Sequence, residues 1–258
     1  MDKKIYDLGK PYSTDVYHYT KLSNLFSIIT KDGIVFHAGR FDTMNDPNDS
    51  VLITNMENER RCQSFECDTF GEFGTGEVMP FLISFSCDCD KAVMWRLYNA
   101  DVCLHINPQS IYNFCKTKGC QYPRMDKVSY VENMEDNPDC RNIMQSLSSC
   151  VAHGHAEYEA EVRFSFCKHK DFFVENEWRL ACFDKDEICS DVKIKGFKYN
   201  TPSYYREIYL PKECLTGITI LTYNDEAFSQ LSYQIEDMLN KYHYSSIEIR
   251  KTKTAEFR

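Results

Sequence analysis

The chain has 258 residues, 43% of them apolar and 14% aromatic, with a formal charge of −9. That length suits one domain, the apolar content excludes a disordered chain, and the acidic balance disfavours loose, sequence-blind nucleic-acid binding while leaving a local basic pocket open. The 13 cysteines form no CxxC pair, no stretch nears a membrane span, and the charged opening Met1 to Lys10 has no apolar run, so free thiols in the cytoplasm, no metal and no membrane contact are the expectation.

In chain order, Asp15 to Tyr19 reads as a short strand, and Thr20 stands where a helix N-cap belongs. Leu22, Leu25, Phe26 and Ile29 fall at i, i+3, i+4 and i+7, which predicts an amphipathic helix ending near Asp32-Gly33. Ile34 to Phe36 follows as a strand. Asp46 is placed to cap a helix opening at Pro47, and the Gly- and acid-rich residues 63–78 predict a surface loop. Pro80 to Ser86 is a strand of buried character. A short helix over Lys91 to Tyr98 turns Met94, Leu97 and Tyr98 inward at helical spacing.

Val102 to Ile106 is a further strand, and Pro108 opens a helix carrying Ile111, Phe114 and Cys115. Lys127 to Val131 reads as a strand, and residues 142 to about 166 as mainly helical. Glu177 to Phe183, Arg206 to Leu210 and Gly217 to Leu221 are strands. Phe228, Leu231, Ile235, Met238 and Leu239 mark a long amphipathic helix, and Ser246 to Arg250 is a closing strand. Residues 216–250 thus form a strand–helix–strand unit suited to a parallel crossover. The mixed order of elements predicts an α+β fold in a single domain over 1–258.

Three segments can carry chemistry. On a strand, alternate side chains share a face, so Glu175, Glu177 and Arg179 are expected on one side and Asn176, Trp178 and Leu180 on the other. Arg179 can then neutralise Glu177 and hold it in one rotamer; the plainer reading is an edge strand with a charged outer face. Ser84 and Ser86 share a face opposite Phe85, and aim at a site or cap the next turn. His18, between Tyr17 and Tyr19, is either a satisfied core histidine or a ligand contact. Arg40 and Arg96 are the cations near these segments that can meet a diphosphate.

Tyr17-His18-Tyr19-Thr20, Leu22 to Ile29, Gly33, Phe36, Phe41 and Asn45-Asp46-Pro47, then Ser84-Phe85-Ser86, Met94-Trp95 with Tyr98, and Glu175-Asn176-Glu177-Trp178-Arg179, resemble in order and spacing the bacterial domain-of-unknown-function family 2971. The opening also resembles the first strand and helix of ADP-ribosyltransferases, and His18, Ser84/Ser86, Glu175/Glu177 follow their motif order. That resemblance implies a split, curved mixed β-sheet around NAD, with NAD as substrate and ADP-ribose passed to a protein, a nucleic acid or water, in a bacterial toxin or phage-defence effector. It implies Glu177 as the catalytic carboxylate with Glu175 in reserve, and His18 on the adenosine ribose. Tyr19 or Tyr98 would stack on nicotinamide, Ser84 or Ser86 would support the glutamate, and Thr20, Arg40, Asn45, Trp95, Arg96 and Arg179 would complete the NAD site.

Two other readings remain beside it. One is a non-catalytic nucleotide- or partner-binding module on the same fold. The other is a metal-dependent nuclease drawing on Asp46, Glu175 and Glu177, for which no accompanying lysine motif is present.

Overall fold

The computed structural model describes residues 14–41, 80–118, 124–133, 136–138, 141, 165–182, 188–198 and 201–254. The turn at Asn45-Asp46-Pro47, the 63–78 loop and residues 142–164 of the expected helix lie outside the described residues. The fold is α+β, an open mixed sheet with a few helices. The first half supplies β1 (Val16–Thr20), α1 (Leu22–Ile28), β2 (Ile34–Arg40), β3 (Phe81–Ser86), α2 (Ala92–Leu97), β4 (Val102–Ile106) and α3 (Pro108–Thr117). Next come β5 (Arg124–Lys127), β6 (Ser129–Val131), β7 (Cys167–His169), a 3-10 turn (Lys170–Glu175) and β8 (Glu177–Cys182). The chain ends through β9 (Lys193–Lys198), β10 (Thr201–Leu210), β11 (Leu215–Ile220), α4 (Asp225–Lys241) and β12 (Glu248–Lys251).

The main sheet runs β12-β11-β4-β1-β3-β2-β10-β9, with β8 also on β3 and β5 on β8. The strand β3 is a fork. Along one edge it pairs with β8 throughout, from Phe81↔Cys182 to Ser86↔Glu177. On the other edge it meets β1 only at Ser86 and β2 only at Leu82 and Phe81. The sheet therefore splits beside residues 83–85. The parallel pairing of β11 with β12 around α4 is the expected crossover.

Short elements depart from their periodic pattern where docking decides. In α1 the buried residues are Leu25 and Ile28, followed by Ile29, and Phe26 is 52% exposed. Two turns of helix bury only one narrow stripe, and it runs through 25 and 28 rather than 25 and 26. Its N-cap position is Lys21; Thr20 instead accepts from Asn24 Nδ2, and the Leu22 N–H donates to Asp101 Oδ2. In α2, Met94 and Trp95 are buried while Leu97 is 54% exposed. The strand expected over 127–131 breaks at Val128 into β5 and β6, which join different sheets. At Gly33 an added Cβ would lie 2.2 Å from the Leu210 carbonyl oxygen, with φ at +149°, so the end of β10 packs where only glycine fits. The long helix α4 follows its pattern: Asn224 accepts from Glu226 N and Ala227 N, and Ile235, Met238 and Leu239 are buried.

The principal core lies on one face of the sheet. Phe81, Ile83, Phe85, Trp178, Leu180, Val16, Phe36 and Leu104 meet Leu25 of α1, Ile111 of α3 and Ile235 of α4 there. A smaller cluster of Tyr19, Met94, Trp95, Ala100 and Cys103 covers part of the other face. No helix among the described residues is long and apolar enough to cross a membrane.

Candidate functional site

Strand alternation and register sort the candidate residues onto two faces. Phe85 sits opposite Trp178 and Ile83 opposite Leu180 on the apolar face; Ser84 sits opposite Arg179 and Ser86 opposite Glu177 on the other. Tyr17 pairs with Ser86 and so belongs to the polar face, which places His18 on the apolar one.

The polar face holds a buried charge cluster. Because β8 is paired on both sides, it is no edge strand, and Glu177 and Arg179 are 2% and 0% exposed. Two residues apart on one face, they form a fork: Arg179 Nε donates to Glu177 Oε1 at 2.7 Å and Nη2 to Oε2 at 3.1 Å, while Nη1 donates to the Ser165 carbonyl at 2.7 Å. Lys168 of β7 stands 3.1 Å from Glu175 Oε1 and 3.6 Å from Glu177 Oε2. Glu175 is not in the strand; it ends the 3-10 turn, and Asn176 at φ 44° and ψ 57° reverses the chain before β8 begins. Left-handed backbone at an asparagine is the local device that brings Glu175 beside Glu177. Tyr98 donates its hydroxyl to Glu175 Oε2 at 2.9 Å, Ser86 Oγ donates to the Glu175 carbonyl, and the Glu177 N–H donates to Tyr130.

The two carboxyls are tuned apart. Burial pushes Glu177 up, but Arg179, Lys168 and the Ser84 hydroxyl together bring it below its ordinary value. Burial raises Glu175, Lys168 offsets only part of that, and the Glu177 charge raises it again. Burial and the Glu175 charge hold Tyr98 protonated far above the usual phenol range.

His18 is apart from this cluster. Its ring packs edge-on against Phe36 and Phe85, and Nδ1 lies 3.2 Å from the Ser84 carbonyl in the split beside β3. A carbonyl only accepts, so Nδ1 carries the proton; burial lowers the imidazole's basicity and keeps it neutral. The register thus puts His18 on the face of the sheet opposite Glu177.

Of the other expected ligands, Tyr19 and Trp95 are core residues, with Tyr19 donating to the Asp88 carbonyl and Trp95 to Asp90 Oδ1. Thr20 shares the apolar face with His18. Arg40 also lies on that face, stacked on Tyr204 with 4.1 Å to the ring centre, and Arg96 is exposed on α2. Asn45 falls outside the described residues. Ser84, Ser86, Tyr98, Glu175, Glu177 and Arg179 are brought together. Sequence reasoning missed Lys168, Tyr130 and Ser165, since no periodicity separates a buried lysine from a surface one. The cations flanking the carboxylate turn are Lys91, which bonds Asp88 Oδ2 and the Val174 carbonyl, and exposed Lys127.

No curated protein and no solved structure matches the chain. Residues 94–180 match the model of a family described as "Protein of unknown function (DUF2971)". The resemblance to that family is therefore shown for the stretch from α2 to β8, which carries Tyr98, Lys168, Glu175, Glu177 and Arg179.

Proposed function

We propose that the protein is an ADP-ribosyltransferase-like enzyme of the cytoplasm that breaks the nicotinamide–ribose bond of NAD and passes ADP-ribose to a protein or nucleic-acid acceptor or to water. Glu175 is the reacting carboxylate, and Glu177 is the fixed anion behind it. The observation that carries this reading is the unlike pair: two carboxylates share Lys168, one kept ionised by Arg179 and the other raised by burial. Environments that drive two titratable groups apart divide the acid–base roles between them.

Departure of nicotinamide leaves an oxocarbenium-like ribose, which a preorganised carboxylate stabilises. The raised Glu175 is suited to take the proton of the incoming hydroxyl. Tyr98, 41% exposed with its hydroxyl on Glu175, offers a ring for nicotinamide to stack on. Lys91 and Lys127 supply charge for the diphosphate. His18 has no role in this chemistry.

The test is incubation of the full chain with NAD labelled in the nicotinamide ring. Wild-type protein releases nicotinamide, and Glu175→Gln slows release by about a hundredfold with the fold intact. An unchanged rate in that variant would remove the proposed role. A second reading, a module that binds NAD without turnover, draws on the closed geometry of Glu177, 2% exposed and doubly bonded by Arg179. It predicts calorimetric NAD binding with no nicotinamide released.

A further inference from the structure

Beyond the carboxylates, the same polar face carries a second cluster that the proposed NAD chemistry does not use. Cys103 and His105 of β4 share that face with Thr219 of β11, which pairs directly with Cys103. The turn after β3 lays Cys89 over them. Cys89 Sγ is 3.6 Å from His105 Nε2 and 3.9 Å from Thr219 Oγ1, and those two are 2.8 Å apart. Cys103 is the second thiol beside Cys89: its strand partner Thr219 touches the Cys89 sulfur. An added Cβ at Gly217 would come within 2.9 Å of His105 Nδ1, so the ring is held from both sides. Cys89 is half-buried, whereas Cys103 is fully buried. Tyr17, Tyr19, Asp90, Glu248 and Arg250 are other titratable groups around this cluster.

We propose that Cys89 is a reactive thiolate and a site of oxidation by hydroperoxides, with Cys103 as its resolving thiol. An imidazole in contact with one sulfur and a second thiol on the strand beneath it is the arrangement that separates reactive cysteines from inert buried ones. The Cys89 sulfur attacks the distal peroxide oxygen; an S–O bond forms, the O–O bond breaks, and the departing alkoxide or hydroxide takes up the proton that the Cys89 thiol released, passed across by His105. Sulfur loses two electrons and the peroxide gains them. The Cys103 sulfur then attacks the sulfenic sulfur; an S–S bond forms, the S–O bond breaks, and the hydroxyl leaves as water with the Cys103 proton.

Hydrogen bonds from Cys103 and His105 bring the Cys89 thiol down to about 5. Burial pushes Cys87, two residues away on the same turn, up instead. Cys87 is therefore an internal control that does not depend on any variant folding. At about pH 6 the lowered Cys89 thiol is ionised while the raised Cys87 thiol is not, and after allowing for the lower intrinsic nucleophilicity of the more acidic thiol, Cys89 is expected to react about tenfold faster.

The experiment treats the full chain with limiting hydrogen peroxide at that pH and maps each cysteine by mass spectrometry. The expected product is a Cys89–Cys103 disulfide, and in Cys103→Ser a Cys89 sulfenic acid captured by dimedone. Oxidation of Cys87 or Cys189 at the same rate as Cys89, or a first disulfide that leaves out Cys103, would overturn the proposal. None of these readouts depends on NAD, so they stand or fall apart from the carboxylate site.

Discussion

Strands β3 and β8 present the same pairing to both sides of the sheet, yet the two sides have opposite electrical characters. On one, Phe85, Trp178, Ile83 and Leu180 join a dry core fed by three helices, and the polar ring that enters it, His18, does so neutral and bonded to the Ser84 carbonyl. On the other, Glu177 and Arg179 are more deeply buried than His18 yet stay charged, because each meets the other's charge at 2.7 Å. Low dielectric permits a buried polar group in two ways: remove the charge, or supply its counter-charge. The consequence is chemical. A neutral, tautomer-locked imidazole inside packed aromatics is structural, whereas a network of two carboxylates and two cations holds proton affinities that can be shifted.

The largest way to break that contrast is to leave one charge alone. Arg179→Met strands the Glu177 carboxylate beside Lys168 alone and is expected to destabilise the fold by about 3–5 kcal/mol, read from the urea midpoint. Arg179→Met combined with Glu177→Leu removes both charges and is expected to recover most of that loss. A single variant as stable as wild type would mean that water reaches the pair. On the apolar face the corresponding change is smaller. His18→Leu leaves the Ser84 carbonyl without its donor in the split, for a loss of about 1–2 kcal/mol, and NAD consumption per folded molecule stays at the wild-type level. A selective fall in turnover would bring His18 back into the site.

How far the sequence foretold this contrast depends on whether the cue was local. Glu177 and Arg179 on one face follow from strand alternation, the α4 stripe from helical periodicity, and the parallel β11–β12 pair from the strand–helix–strand order. Alternation places Glu175 on the same strand face only if Asn176 is extended; its left-handed backbone puts Glu175 on a separate turn. His18 could not be assigned to a face, since Val16-Tyr17-His18-Tyr19-Thr20 has bulky residues on both, and only the register of β1 on β3 and β4 decides between them. Lys168 reaches Glu177 from β7, and Cys89 meets His105 and Thr219 across 16 and 130 positions, contacts made by tertiary packing that no window of residues records.

The smallest expected effect tests the contrast within the polar face itself, where the two carboxyls bend stability in opposite directions with pH. Glu177 titrates below its ordinary value of 4.5 in the folded protein. The unfolded chain therefore takes up its proton first as pH falls, and the stability supplied by Arg179 is present above 4.5 and lost on descending through the depressed value. Glu175 titrates above 4.5, so the folded chain holds its proton longer, and its share of stability is present below 4.5 and lost as pH rises through the raised value. Together they place a local maximum of stability near the ordinary carboxylate value. Glu175→Gln should abolish the decline on the alkaline side of that maximum and leave the acid limb in place, whereas Glu177→Gln should remove the acid limb. Urea midpoints across the acid range for the three proteins read both limbs. An acid limb that survives in Glu177→Gln would assign it to other carboxylates and leave the Glu177–Arg179 fork without its expected part in acid unfolding.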